Sequence, residues 1–191
     1  MIRHLGTALR VTIVSIVLLG FIYPLAMTAI AAVLFPRQAN GSLVTVNGKV
    51  VGSSIIGQLW TKPQYFAGRP SAAGKGYDPT STGGTNLGPT SKKLIDSTKA
   101  TIAELEKQNP DAAGPPPIDL VTSSGSGIDP DISPEAAYWQ APRVAKARGE
   151  SLATVRALIA GHVQGRTFGF LGEPRVNVLE IDLALDGLKA Q

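Results

Sequence analysis

The chain has 191 residues, 43% of them hydrophobic, with 18 Lys plus Arg against 14 Asp plus Glu and no cysteine. That length holds one domain of ordinary size and an additional segment. The lack of cysteine excludes a disulfide framework, a thiolate zinc site and a cysteine nucleophile. Setting Arg3 and Arg10 aside leaves 16 basic against 14 acidic residues, a balance of +2 that is too small and too scattered for a nucleic-acid face.

The additional segment lies near the N-terminus. Residues 11–35, VTIVSIVLLGFIYPLAMTAIAAVLF, carry no charge. At about 1.5 Å per residue they cross a hydrocarbon core of roughly 30 Å with some tilt. A signal-peptide core is shorter, about 7 to 15 residues, so an uncleaved anchor is expected although Ala29, Ala31 and Ala32 supply small residues. Arg3, Arg10 and the α-amino group before the span, against Arg37 and Lys49 after it, favour a cytoplasmic N-terminus. The expected organisation is a cytoplasmic stub at 1–10, a membrane helix at 11–35 and an extracytoplasmic domain at 36–191. Within the span, Pro24 should kink the helix or loosen a turn, and Gly20 eases its clash. Gly20, Pro24 and Thr28 form a slim stripe that would let a partner helix approach, which makes them the expected docking residues.

Beyond the span, LVTVNGKVVG reads as a hairpin about Asn47-Gly48, the dipeptide suited to a type I′ turn. Residues 61–90 then contain six glycines and four prolines without periodicity, a length that marks a functional or disordered loop. Tyr65, Phe66 and Tyr77 argue against disorder. Leu94, Thr98, Ile102 and Leu105 predict a helix from Ser91 to Asn109-Pro110, and NPDAAGPPP predicts a stiff connector. A short strand is expected over 118–122. Ser133-Pro134-Glu135 starts a helix that should bend or restart at Pro142 and stop near Gly149, and Ser151 caps another. Leu179, Ile181, Leu183 and Leu185 alternate with Glu180, Asp182 and Ala184, which predicts a strand with one buried and one wet or paired face. The outer domain is therefore expected to be α+β.

The segment 121–134, VTSSGSGIDPDISP, invites a phosphate-loop reading through Ser124, Gly125, Ser126 and Gly127. A Walker A loop is absent: the nearest Gly-Lys, Gly74-Lys75, has Arg69 where the first glycine belongs and Gly76 where a hydroxyl belongs. The glycines flanking Ser126 are adjacent to it, which breaks the G-x-S-x-G nucleophile pattern. In the domain expected at 36–191 His162 is the single histidine, on an apolar helix face that favours a core or interface role. A Ser-Lys dyad at Ser91 with Lys92 or Lys93 suffers from adjacent side chains diverging on a helix. Asp129 and Asp131 lack the later ligands of an EF-hand, so Asp129-Pro130 reads as a turn and Asp131 as a local acceptor for backbone amides.

Five blocks carry a family resemblance: YFAGRPS at 65–71, GGTNLGPTSKKL at 83–94, SGSGIDPDISPEAA at 124–137, RVAKARG at 143–149 and GRTFGFLGEPRVNVLEIDLALD at 165–186. Through them the chain resembles the C subunit of the bacterial Kdp potassium-transporting ATPase. The resemblance implies an accessory, non-catalytic subunit of the inner membrane, partnered by a channel-like potassium-translocating subunit, a P-type ATPase subunit and a very small membrane subunit. It also implies a catalytic-chaperone role and an ATP contact at Ser124–Gly127, the one cofactor to be weighed. The expected topology places that loop outside the membrane, away from cytoplasmic ATP. The leading expectation is a subunit whose outer domain sits over the potassium entrance.

Overall fold

A computed structural model describes residues 2–187. By its contacts the chain divides into two compact units, Met1–Leu43 and Val44–Gln191.

The first unit is one long helix and a short turn. Helix α1 (Ile2–Ser15) runs into a π-helical stretch (Ile16–Ile22) and then α2 (Tyr23–Leu34), followed by the single turn α3 (Pro36–Ala39). Residues His4–Leu34 are long and apolar enough to cross a membrane. The loosened turn expected at Pro24 takes the form of the π stretch directly before it. Tyr23 N–H reaches back five residues to Leu18 O, and the wider winding accommodates the ring.

The second unit is α+β. Strands β1 (Leu43–Val46) and β2 (Lys49–Ser53) form the expected hairpin, with Asn47 at φ 51° and Gly48 at φ 76° as a I′ turn requires. The glycine-rich stretch 61–90 has no regular element yet is ordered, with Phe66, Ala73 and Tyr77 buried. Helix α4 (Lys92–Gln108) starts at Ser91, whose hydroxyl accepts from Leu94 N–H at 3.4 Å. A three-stranded antiparallel sheet follows in the order β3 (Asp131–Ile132), β5 (Arg175–Asn177), β4 (Val163–Gln164). Ile132 and Val163 flank Val176 from its two sides. Helices α6 (Pro134–Arg148) and α7 (Leu152–His162) pack on each other and carry the core residues Ala137, Val144, Val155 and Ile159. Ser133 and Ser151 cap them, and Gly149 at φ 68° ends α6 in the left-handed conformation that glycine tolerates best.

Two expectations fail locally, and of the bend or restart expected at Pro142 the restart does not occur. Residues 118–122 form a helical turn, α5 (Ile118–Val121), because Thr122 N–H and its hydroxyl both donate to Ile118 O, and the buried residues Leu120 and Val121 are adjacent instead of alternating. Helix α6 passes Pro142 without restarting. The carbonyl that Pro142 cannot serve belongs to Tyr138, on a side where Glu135, Tyr138 and Pro142 are exposed or half-buried, so solvent can satisfy it.

The second failure is the larger. The expected C-terminal strand is a helix, α8 (Val178–Leu185), begun by Asn177, whose side chain accepts from Glu180 N–H at 3.1 Å. Leu179 and Leu183 enter a small cluster with Val44 and Val46, whereas Val178, Ile181 and Leu185 join the main core. A helix buried on two faces shows apolar residues at alternate positions and so imitates a strand. Trp60 packs against both clusters and joins them. Ile181 is fully buried, so Ile181→Ala should lower unfolding stability by about 3 kcal/mol, read by chemical denaturation.

Candidate functional site

In the second unit, buried polar groups concentrate where the backbone of 63–69 crosses α6 and α8. Loop backbone carries obligatory donors and acceptors, and without a ladder partner they need side chains. Gln140, buried on α6, supplies both: its Oε1 accepts from Ala67 N–H at 2.8 Å and its Nε2 donates to Ala67 O at 3.0 Å. One turn on, Arg143 donates to Pro63 O at 2.6 Å, Tyr65 O at 3.0 Å, Asn109 Oδ1 at 2.9 Å and Gln140 Oε1 at 2.8 Å. Burial draws the Arg143 guanidinium below the usual arginine range. Arg148 then binds Gln64 O at 2.8 Å, Leu185 O at 2.9 Å and Asp186 at 2.7 Å, with its guanidinium 5.1 Å from the centre of the Tyr65 ring. The Tyr65 hydroxyl donates to Asp186 at 2.9 Å, and that bond raises its pKa.

Asp182 completes the set from α8. It is 1% exposed, and its Oδ1 accepts from Phe66 N–H at 2.9 Å while Oδ2 has no partner among the described residues. Burial pushes its pKa up to about 8, against the pull of the Phe66 amide and of Arg148 and Arg143. Sequence reasoning placed Asp182 on a wet or paired strand face; the helix turns it inward.

The Ser124–Gly127 loop is a joint between segments. Ser124 Oγ accepts from Gly127 N–H at 2.9 Å, and Ser126 Oγ from Ile128 N–H at 3.2 Å. Ser126 O accepts from Gly83 N–H at 2.8 Å, and Gly127 O from the Ser71 hydroxyl at 2.6 Å. These bonds fasten 71–83 of the glycine-rich stretch to the corner. Nearby, Arg69 pairs with Asp129 at 3.1 Å, and the Tyr77 hydroxyl donates to Arg69 O at 2.5 Å. Burial raises Tyr77 to about 12, so it stays a donor. Asp129, not Asp131, accepts the local backbone amide, that of Asp131 at 3.1 Å. Asp131 instead lies in β3 and meets Arg175 at 3.1 Å and Asn177 at 3.1 Å. Burial raises the Asp131 pKa despite those partners.

Among the described residues no group of three or more His, Asp or Glu is placed to hold a metal ion. Ser91 is a helix cap, and His162 Nδ1 lies 2.8 Å from Leu158 O.

One surface feature stands apart. In 166–173, Thr167 and Leu171 exchange both backbone hydrogen bonds at 2.9 Å, and Arg166 closes the base on Glu173 at 2.6 Å. At the tip Phe168 is 84% and Phe170 70% exposed, so two aromatic rings stand in water on a fixed turn. In the first unit, a Cβ at Gly20 would meet no side chain but Ile16, whose Cγ2 would lie 3.8 Å away, and the Thr28 hydroxyl donates to Pro24 O at 2.8 Å.

The blocks that meet in these joints also match a known family. Residues 5–187 fit the family described as K+-transporting ATPase, c chain, KdpC. The chain belongs to this family. It is 57% identical over 181 residues to the potassium-transporting ATPase KdpC subunit of Myxococcus xanthus, covering 94% of this chain and 86% of that one. It is 51% identical over 186 residues to that of Koribacter versatilis, covering 97% and 95%, and 55% identical over 184 residues to that of Acidobacterium capsulatum, covering 96% and 98%.

Two outcomes follow. At Gly127, φ is 72° and a Cβ would lie 2.7 Å from Gly83 O and 2.8 Å from Ala73 Cβ, whereas at Gly125 it would meet nothing within 4 Å. Gly127→Ala should cost about 3 kcal/mol or more and Gly125→Ala less than about 1 kcal/mol in thermal or denaturant unfolding. For Asp182, a folded pKa above the unfolded one gives stability that is complete below about pH 4 and is lost as pH rises through about 8. Unfolding stability of the full chain in detergent should weaken by on the order of 4 kcal/mol between pH 5 and 8.5. Asp182→Asn should flatten that dependence.

Proposed function

We propose that the chain is the non-catalytic accessory subunit of a potassium-transporting ATPase complex, anchored by one membrane helix, with its N-terminus cytoplasmic and its α+β domain outside. ATP hydrolysis falls to another chain of the complex. The observation that carries this reading is the family match along 5–187, which takes in both the apolar helix and the outer domain. The bias of Arg3, Arg10 and the α-amino group before the span supports the orientation. Within the complex the chain stabilises assembly with the channel-like, P-type ATPase and small membrane subunits, and through them supports nucleotide use as a catalytic chaperone. The span docks by its Gly20, Pro24 and Thr28 face.

The Phe168–Phe170 tip supports a capping role over the potassium entrance. Exposed aromatic side chains on a braced turn are costly in water and suit burial against a partner. The hydroxyls of Ser124 and Ser126 are committed to backbone amides of the corner itself, and the carbonyls of Ser126 and Gly127 to the glycine-rich stretch, which supports a structural role for that loop in preference to a nucleotide contact.

Replacing both Phe168 and Phe170 by Ser should leave the unfolding transition of the isolated full chain within about 0.5 kcal/mol, because neither ring is buried. The same variant should reduce co-purification with the potassium-translocating subunit several-fold. Unchanged recovery would remove the capping role. Digestion of the outer domain by added protease, once the outer compartment of intact cells is opened, checks the orientation; protection would reverse it.

A further inference from the structure

The hydrogen bonds of the membrane helix do not close at Pro24. At the end of the π stretch Ile16–Ile22 the Tyr23 N–H reaches back five residues and is committed to Leu18 O. The carbonyl of Leu19 therefore loses both helical donors. Its i+4 amide belongs to Leu18 O, and its i+5 residue is Pro24, which has no N–H. The nearby Thr28 hydroxyl is spent on Pro24 O at 2.8 Å.

Leu19 lies eight residues after Val11, about 12 Å into the uncharged run and inside a hydrocarbon layer of roughly 30 Å. Lipid tails have no donor to offer, and headgroups do not reach that depth. Backbone groups in a bilayer must be satisfied within protein. The surroundings are open: Leu19 is 68% exposed, and the missing side chain of Gly20 leaves room for a close approach.

We propose that the Leu19 carbonyl accepts a hydrogen bond from a hydroxyl, amide, indole or ammonium side chain on a neighbouring membrane helix of the ATPase complex. This depends on the accessory-subunit reading and specifies its membrane contact. The slim face then acts as an approach path, and the acceptor selects a partner helix that is polar at this depth. Helices with purely aliphatic faces would leave the carbonyl unpaired.

The test uses the full chain with 13C-carbonyl leucine and 15N-glycine, whose sequence contains four Leu-Gly pairs, Leu5-Gly6, Leu19-Gly20, Leu87-Gly88 and Leu171-Gly172. Gly20→Ala removes and so assigns the Leu19 signal in solid-state NMR. The Leu19 carbonyl resonance should move downfield in bilayers holding the assembled complex relative to bilayers holding this chain alone. In Pro24→Ala the regained N–H serves the helix itself, so the assembly-dependent movement should vanish. An unmoved resonance in the assembled complex, or movement that persists in Pro24→Ala, overturns the inference and leaves the accessory role standing. Failure of the unaltered chain to assemble overturns both.

Discussion

The α+β domain depends on one constraint: a backbone stretch with no strand or helix of its own must still satisfy its N–H and C=O groups away from water. Side chains of α6 meet that demand at 63–67. Gln140 mimics a strand partner for Ala67, while the forks of Arg143 and Arg148 gather the carbonyls of Pro63, Gln64 and Tyr65. Arginine suits this work because its planar, permanently charged fork serves several acceptors at once. Removing one such donor strands several carbonyls together, so these residues act as a unit.

The same solution recurs at the Ser124–Gly127 corner, where serine hydroxyls take backbone amides and Ser71 and Gly83 tie the far end of the loop. What looks like phosphate chemistry in one dimension is a loop satisfying itself in three. The glycines divide sharply in role: Gly127 sits at positive φ against Ala73 and Gly83, whereas Gly125 has open space. Asp182 departs from full satisfaction, with one oxygen bonded and one not, and its raised pKa is the cost of closing α8 over the loop.

The membrane helix meets the same requirement in a solvent with no water. Pro24 removes a donor, the π turn commits the Tyr23 amide to Leu18 O, and the Leu19 carbonyl is left without its i+4 and i+5 donors. In the domain such a deficit is made up by arginine. In the span a neighbour must make it up, which links local helix geometry to assembly.

Much was legible in the sequence because it depends on near neighbours along the chain. The apolar run, the Asn47-Gly48 hairpin and the caps at Ser91, Ser133 and Ser151 follow from local periodicity and turn chemistry. The family blocks were legible as well, although their purpose was not. Three things were decided only by tertiary structure. The strand expected at 179–185 became a helix because Leu179 and Leu183 face one cluster while Ile181 and Leu185 face another, a division no one-dimensional pattern contains. Residues 118–122 curled into a turn because adjacent Leu120 and Val121 are both buried. The clamp on 63–67 joins residues about 75 to 120 positions apart, Arg143 with Tyr65 and Asp182 with Phe66, and such pairings arise only when the folded chain brings a bare backbone against α6 and α8.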